Sequence, residues 1–109
     1  MKKFVLVYFG KTRPEDIAQE DMKSTMEKWI TWFGSFKEQM VDGGNPFAST
    51  GKSVTAKGIE SIPADMMSAT GYTIINATDM DEATKIASSC PVLEDDSNGS
   101  VHVYEALPM

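Results

Sequence analysis

The sequence predicts an α+β fold, an antiparallel sheet with its helices on one face. Three observations lead to this prediction: an apolar first strand, a long helix with an aromatic stripe, and a later strand followed directly by a capped helix. The predicted order is strand, long helix, strand, strand, short helix, strand, which is the split βαβ pattern of ferredoxin-like folds. We therefore expect one domain covering residues 1–109, with a four-stranded antiparallel sheet and two helices on one side.

The first predicted strand, Phe4 to Phe9, is apolar on both of its alternating faces. Two helices on one side of the sheet cover only one of these faces. Packing the other face against a second copy of the chain is the simplest way to bury it, so we expect a homodimer that closes into an α+β barrel. The alternative is a monomer in which residues 58–70 fold over this face.

The long helix is predicted from apolar residues that recur at alternating steps of four and three. They are Met22, Met26, Trp29, Phe33, Phe36 and Met40. This spacing places all six on one helix face, which we expect to be core. Trp32 falls about 80° from the centre of that stripe, on its rim. The glycines and proline of residues 43–46 predict that the helix ends near Val41 or Asp42.

The middle of the chain has weaker patterns. Residues Ala48 to Lys57 alternate weakly among small polar side chains, which predicts a short edge strand or ribbon, solvated on one side. Residues 58–70 follow neither a helical nor a strand period, so we expect a connection that can act as a lid. Gly71 to Ala77 is the next predicted strand, and Asp79 with Glu82 three residues later has the spacing of a capping box that begins the second helix.

Composition and charge exclude several classes of protein. The net charge is −6 and the ten basic residues are scattered, so neither nucleic acid nor an anionic membrane is an expected partner. No apolar run approaches the roughly 18 residues that cross a bilayer. The single cysteine, Cys90, excludes an internal disulfide, and no metal-binding spacing is present. We expect a cytoplasmic protein that uses neither a metal nor a cofactor.

Four segments resemble the YCII-related, or DGPF-domain, family: KKFVLVYFG, WITWFGSFKEQMVDGGNPF, ATGYTIINATDMDEATKIASSCPVL and GSVHVYEALPM. The resemblance implies ferredoxin-like subunits that form a dimeric α+β barrel, usually cytoplasmic, in a superfamily of isomerases, oxygenases and elimination enzymes. It implies the fold more strongly than any activity. The chain departs from the family pattern where PADMMSATG replaces the Asp-Gly-Pro-Phe tetrad before the third strand.

His102 and Asp42 are the catalytic candidates. Better-known relatives carry a His and Asp pair as a proposed acid and base, and His102 is the only histidine here, on the predicted last strand Val101 to Ala106. Histidine is the residue type most often used as a general base, and Asp42 could orient it in that role. The alternative is a strand histidine at the surface or at a subunit interface.

The remaining candidates surround a predicted pocket for a small organic ligand. They are Tyr8, Trp32, Gly43, Gly44, Asn45, Tyr72 and Tyr104. The glycine turn can offer backbone groups and a carboxylate to a polar ligand, or it can simply end the helix. The aromatic residues can line the pocket or pack at an interface. Two functions remain open: a cofactor-independent isomerase or lyase, and a non-catalytic dimeric module that binds a small ligand or another protein.

Overall fold

The computed structural model describes residues 1–10, 18–48, 50–63, 68–95 and 98–109. The elements in chain order are β1 (Lys2–Gly10), α1 (Gln19–Ser35), β2 (Met40–Asp42), β3 (Gly51–Thr55), β4 (Gly58–Ile62), β5 (Ser68–Ala77), α2 (Met80–Ala87), α3 (Val92–Asp95) and β6 (Ser100–Ala106).

The main sheet has four strands in the order β2-β5-β1-β6. β1 pairs antiparallel with β5 on one side and with β6 on the other, and β2 pairs antiparallel with β5. The fold is therefore α+β with a four-stranded antiparallel sheet, as predicted, and it is compatible with a ferredoxin-like arrangement.

One face of this sheet carries the core. Along β1 the side chains of Phe4, Leu6 and Tyr8 are buried, while those between them are half-buried. The whole core cluster comprises Phe4, Leu6, Tyr8, Trp32, Phe36, Ile75, Ala77, Ala83, Ala87 and Cys90. Because α1 and α2 both contribute to this cluster, both helices cover the same face of the sheet.

Helix α1 ends at Ser35, earlier than the predicted end near Val41 or Asp42. Backbone hydrogen bonds from Gln39 to Phe36 and from Met40 to Lys37 turn the chain. Met40 then enters β2 opposite Ile75. The four-residue spacing of Phe36 and Met40 is typical of a helix in which both side chains face the core. A turn followed by a strand also directs both side chains to the core, and here the strand forms because it pairs with the edge of β5.

Trp32 lies in the core and not on the rim of the helix. Its side chain is 4% exposed, whereas Met26 of the predicted stripe is 54% exposed. The indole N–H donates to the Ile86 carbonyl and lies equally close to Ser89 Oγ, both at 3.1 Å. The rim prediction is wrong because Trp32 packs against Ile86 and Ser89, which displaces the buried face of α1 toward Trp32 and away from Met26.

The predicted edge strand Ala48 to Lys57 is not part of the main sheet. Instead β3 pairs antiparallel with β4 in a separate two-stranded ribbon, Gly51 to Ile62, which we call the arm. Of the predicted lid 58–70, the first part is β4 and the last part begins β5, while residues 64–67 lie outside the described residues. The radius of gyration is 14.8 Å, larger than the about 13 Å of a compact chain of this length.

The capping box of α2 is confirmed. The Asp79 carboxylate accepts a hydrogen bond from the Glu82 backbone N–H at 2.9 Å. The Glu82 carboxylate in turn accepts from the Thr78 backbone N–H and from its hydroxyl. The Asp79 bond satisfies a donor that the first turn of a helix leaves without an intrahelical partner, and the Glu82 bonds hold Thr78, the residue before the N-cap.

We expect Asp79→Ala to lower the free energy of unfolding by about 1 kcal/mol, because it removes the acceptor that caps α2. Urea unfolding followed by circular dichroism measures this change. Asp79→Asn is the matched control, since asparagine also caps helices and should keep most of the stability. Equal losses in the two variants would contradict a capping role.

Candidate functional site

The sheet face opposite the helices is the candidate functional site. Its side chains alternate with those of the core, and we call them the open face: Val5, Val7, Phe9, Tyr72, Ile74, His102 and Tyr104. Val7 lies in register between Tyr72 and His102, and Val5 between Ile74 and Tyr104. The described apolar side chains of α1 and α2 that join the core cluster pack on the other side of the sheet. The open face is thus a largely apolar surface with two rows of neighbouring side chains, one centred on Val7 and one on Val5.

Aromatic contacts shape the two ends of this face. The His102 ring lies 4.3 Å from the Phe9 ring, measured between centroids, and 6.4 Å from the ring of Tyr104. Tyr72 stacks on Phe47, with the ring centroids 5.9 Å apart. An imidazole and two phenols therefore provide hydrogen-bonding groups above apolar residues, a combination suited to a flat organic molecule with polar substituents.

His102 and Asp42 do not form a pair within one chain. His102 lies on β6 and Asp42 on β2, at opposite edges of the sheet, with β1 and β5 between them. At about 4.8 Å per strand, the two backbones are about 14 Å apart. The Asp42 carboxylate instead accepts a hydrogen bond from the Gly44 backbone N–H at 2.8 Å. The prediction that Asp42 orients His102 is therefore wrong for a single chain.

The turn after β2, Asp42 to Asn45, is held tightly against β5. Gly44 has φ of 75°, and a Cβ atom there would lie 1.7 Å from the Tyr72 carbonyl oxygen. The Gly43 carbonyl accepts a hydrogen bond from Thr73 Oγ1 at 2.9 Å. The turn does not end a helix, as one alternative held, because it follows a strand. Its polar groups hold the turn in place, and this favours a structural role for Gly43 and Gly44 over ligand binding.

Tyr8 lies on the helix side of the sheet, apart from Tyr72 and Tyr104. Its hydroxyl is 2.5 Å from Thr73 Oγ1. Thr73 uses its hydroxyl proton on the Gly43 carbonyl, so Tyr8 must be the donor to Thr73. Burial raises the pKa of the Tyr8 phenol well above its usual value, in spite of the opposing effect of the Thr73 hydrogen bond. The prediction that the three tyrosines share one cavity is wrong, and Tyr8 is a core residue.

A groove of about 420 Å³ lies on the helix side of the molecule, between α1 and the segment from Ser89 to Glu94. Its lining includes Glu27, Thr31, Trp32, Ser35 and Pro91. The sequence reasoning missed this groove, and the only signal for it was the position of Trp32 beside the stripe. Trp32 and His102 lie on opposite sides of the sheet, so the predicted pocket that contains both is wrong.

No family model matches the chain, and no curated protein sequence matches it. The resemblance to YCII-related proteins therefore rests on the four sequence segments alone.

The described parts of the chain contain no group of three or more histidine, cysteine, aspartate or glutamate side chains placed to hold a metal ion. No helix there is both long enough and apolar enough to cross a membrane.

We expect Gly44→Ala to lower the free energy of unfolding by about 2 to 4 kcal/mol, because a Cβ atom would overlap the Tyr72 carbonyl at a positive φ. Urea unfolding measures the loss. Gly34→Ala is the matched control: Gly34 lies in α1 with no atom within 4 Å of the added Cβ. That change should stabilise the protein by about 0.5 to 1 kcal/mol. A mild effect at Gly44 would contradict the tight packing of the turn.

Proposed function

We propose that this chain forms a homodimer through its open face and that the dimer binds a small, flat organic molecule between the two sheets. The observation that carries the proposal is the open face itself, an apolar sheet surface with the polar groups of His102, Tyr72 and Tyr104. The order of the four strands and the resemblance to YCII-related proteins support the same arrangement. On this proposal the chain is a divergent member of that family.

The dimer is supported by the exposure of apolar and aromatic side chains on the open face. Tyr104 is 56% exposed, and Val5, Val7 and Ile74 are only half-buried in a single chain. Burial of apolar area contributes about 25 cal/mol per Å². Two antiparallel sheets that pack face to face lie about 10 Å apart and share a common core. A second copy offers the matching surface, because a two-fold interface uses the same patch on both subunits.

The ligand class follows from the side chains at the two ends of the face. The rings of Phe9 and His102, tilted by 42° to each other, offer aromatic surface to a flat ligand, and so do the stacked rings of Tyr72 and Phe47. The imidazole and the phenols can hydrogen-bond to a carbonyl, hydroxyl or carboxylate group of the ligand. Small aromatic acids, phenols and quinones combine both features.

Binding takes precedence over catalysis because, among the described residues, no carboxylate of the same chain is placed to orient His102. Asp42 lies across the sheet, and Glu105 alternates with Tyr104, so that its carboxylate points to the other side, 4.0 Å from Lys2. A histidine base is normally oriented by a hydrogen bond to its second ring nitrogen. The alternative function, a cofactor-independent isomerase or lyase, depends on His102 alone.

Sedimentation equilibrium tests the dimer. We expect the wild-type chain to sediment as a dimer at micromolar concentration, and Tyr104→Asp to shift it to monomer, because a carboxylate would be buried in the sheet interface without a partner. Ile30→Asp, at an equally exposed apolar residue of α1, is the matched control and should stay dimeric. A stable wild-type monomer of 12.0 kDa would contradict the proposal.

A thermal-shift screen of small aromatic acids, phenols and quinones tests the ligand. A ligand that binds only the native state stabilises it by about 2.7 kcal/mol at one hundred times its Kd. We expect His102→Ala to reduce the shift, and Glu105→Gln, on the same strand but the opposite face, to leave it unchanged. If a hit is also converted, loss of turnover in His102→Ala would favour the enzyme, whereas unchanged turnover would dismiss His102 as its base.

A further inference from the structure

The arm, Gly51 to Ile62, is the part of the chain that the proposed function leaves unused. Its two strands pair with each other over five residues in each. Gly51 is half-buried, and every other residue of the arm is exposed. None of the other described helices and strands makes more than marginal contact with it. A two-stranded hairpin alone is at best marginally stable in water, so a further surface is expected to hold it.

The two faces of the arm differ in chemistry. Val54 pairs directly with Ile59, and these side chains are 73% and 69% exposed. Lys52 and Ser61 continue the same face, with a hydrogen bond of 2.9 Å between them. The opposite face carries the polar side chains of Ser53, Thr55 and Glu60, with Ile62, 40% exposed, at the base of the arm. Val54 and Ile59 stabilise the hairpin by their cross-strand contact, but most of their apolar surface stays in contact with water. Burial against another surface would remove that area from water, so the pair is well suited to an interface.

We propose that the arm clasps a second copy of this chain, with Val54 and Ile59 packed against the partner beside the open face. This inference rests on the homodimer proposed above. The clasp gives the arm the covering surface that its own chain does not provide.

The base of the arm lies at the margin of the open face. The backbone N–H of Phe47 donates to the Thr70 carbonyl at 2.8 Å, next to a bridge between Pro46 and Gly71. The ring of Phe47 stacks on Tyr72, which belongs to the open face. The described chain therefore approaches the arm beside Tyr72, at the margin of the open face.

The open face by itself has a small footprint, and the arm would enlarge the interface. Four strands about 4.8 Å apart and seven residues long have a footprint of at most about 440 Å². A standard interface buries about 800 Å² on each partner. The arm adds about 160 Å² of footprint, and the surface that receives the partner's arm adds about the same. With both contributions, each copy comes close to the standard interface area.

The charge of the arm is complementary to the charge of the rest of the chain, which is consistent with a second copy as the partner. The arm contains Lys52, Lys57 and Glu60, a net charge of +1, while the whole chain carries −6, so the rest of the chain carries −7. A weakly basic arm that meets an acidic body is attracted to it, and the attraction increases the association rate.

Sedimentation equilibrium on the full-length chain tests the clasp through the double variant Val54→Ser/Ile59→Ser. We expect its dimer Kd to rise at least about tenfold, equivalent to about 1.4 kcal/mol. Thr55→Ser, on the polar face of the arm, is the matched control and should keep the wild-type Kd. An unchanged Kd in the double variant, with a wild-type dimer, would overturn the clasp and leave the proposed dimer intact. A wild-type monomer would overturn both.

Hydrogen exchange of the arm amides gives a second measurement that does not depend on a variant. We expect the backbone N–H groups of β3 and β4 to be protected in wild-type protein above the dimer Kd and to exchange rapidly below it. Rapid exchange at both concentrations would overturn the clasp. Protection that requires a different added protein would overturn it in favour of a heterologous partner.

Discussion

The structure depends on the strict alternation of side chains along β1. This strand pairs with β5 and β6, so a one-residue shift in either register would move Phe4, Leu6 and Tyr8 out of the core. The helices cover the face that these residues form, and the opposite face remains open. The core and the candidate site are thus two sides of the same strands, and their residues are separated by the pleat of the sheet and not by distance along the chain.

A chain of buried hydrogen bonds joins the core to the edge of the sheet. Tyr8 donates to Thr73, and Thr73 donates to the Gly43 carbonyl, so β1, β5 and the turn after β2 are connected through polar groups with few alternative partners. A buried polar network of this kind is stabilising only when every member is satisfied. It also explains why the glycine turn packs directly on Tyr72. A residue of the core thereby supports the turn that borders the open face.

Most of the fold could be predicted from the spacing of apolar residues along the chain and from the residues that cap helices. The alternating period of β1 and β5 and the capping box of α2 predicted these elements correctly, because they depend on local spacing and on which side chains need burial. The end of α1 and the arm were not predicted. After α1, β2 pairs with β5, which is distant in the chain, and in the arm β3 pairs with β4. A single sequence does not show which strand edges will be available for pairing. The predicted pairing of Asp42 with His102 was wrong for a similar reason. Their residue types suggested an acid and a base, but the strand order places them at opposite edges of the sheet.

The α+β class, the apolar character of both faces of β1 and the residue types available for chemistry can all be read from the amino-acid sequence. Which face each residue occupies depends on the contacts of the folded chain. The tertiary structure placed Trp32 and Tyr8 in the core, left His102, Tyr72 and Tyr104 on the open face, and put residues 51–62 into an arm of their own. The physical reason is that burial and pairing are decided by contacts between segments far apart in the chain, whereas spacing within a segment limits only which side chains can share a face.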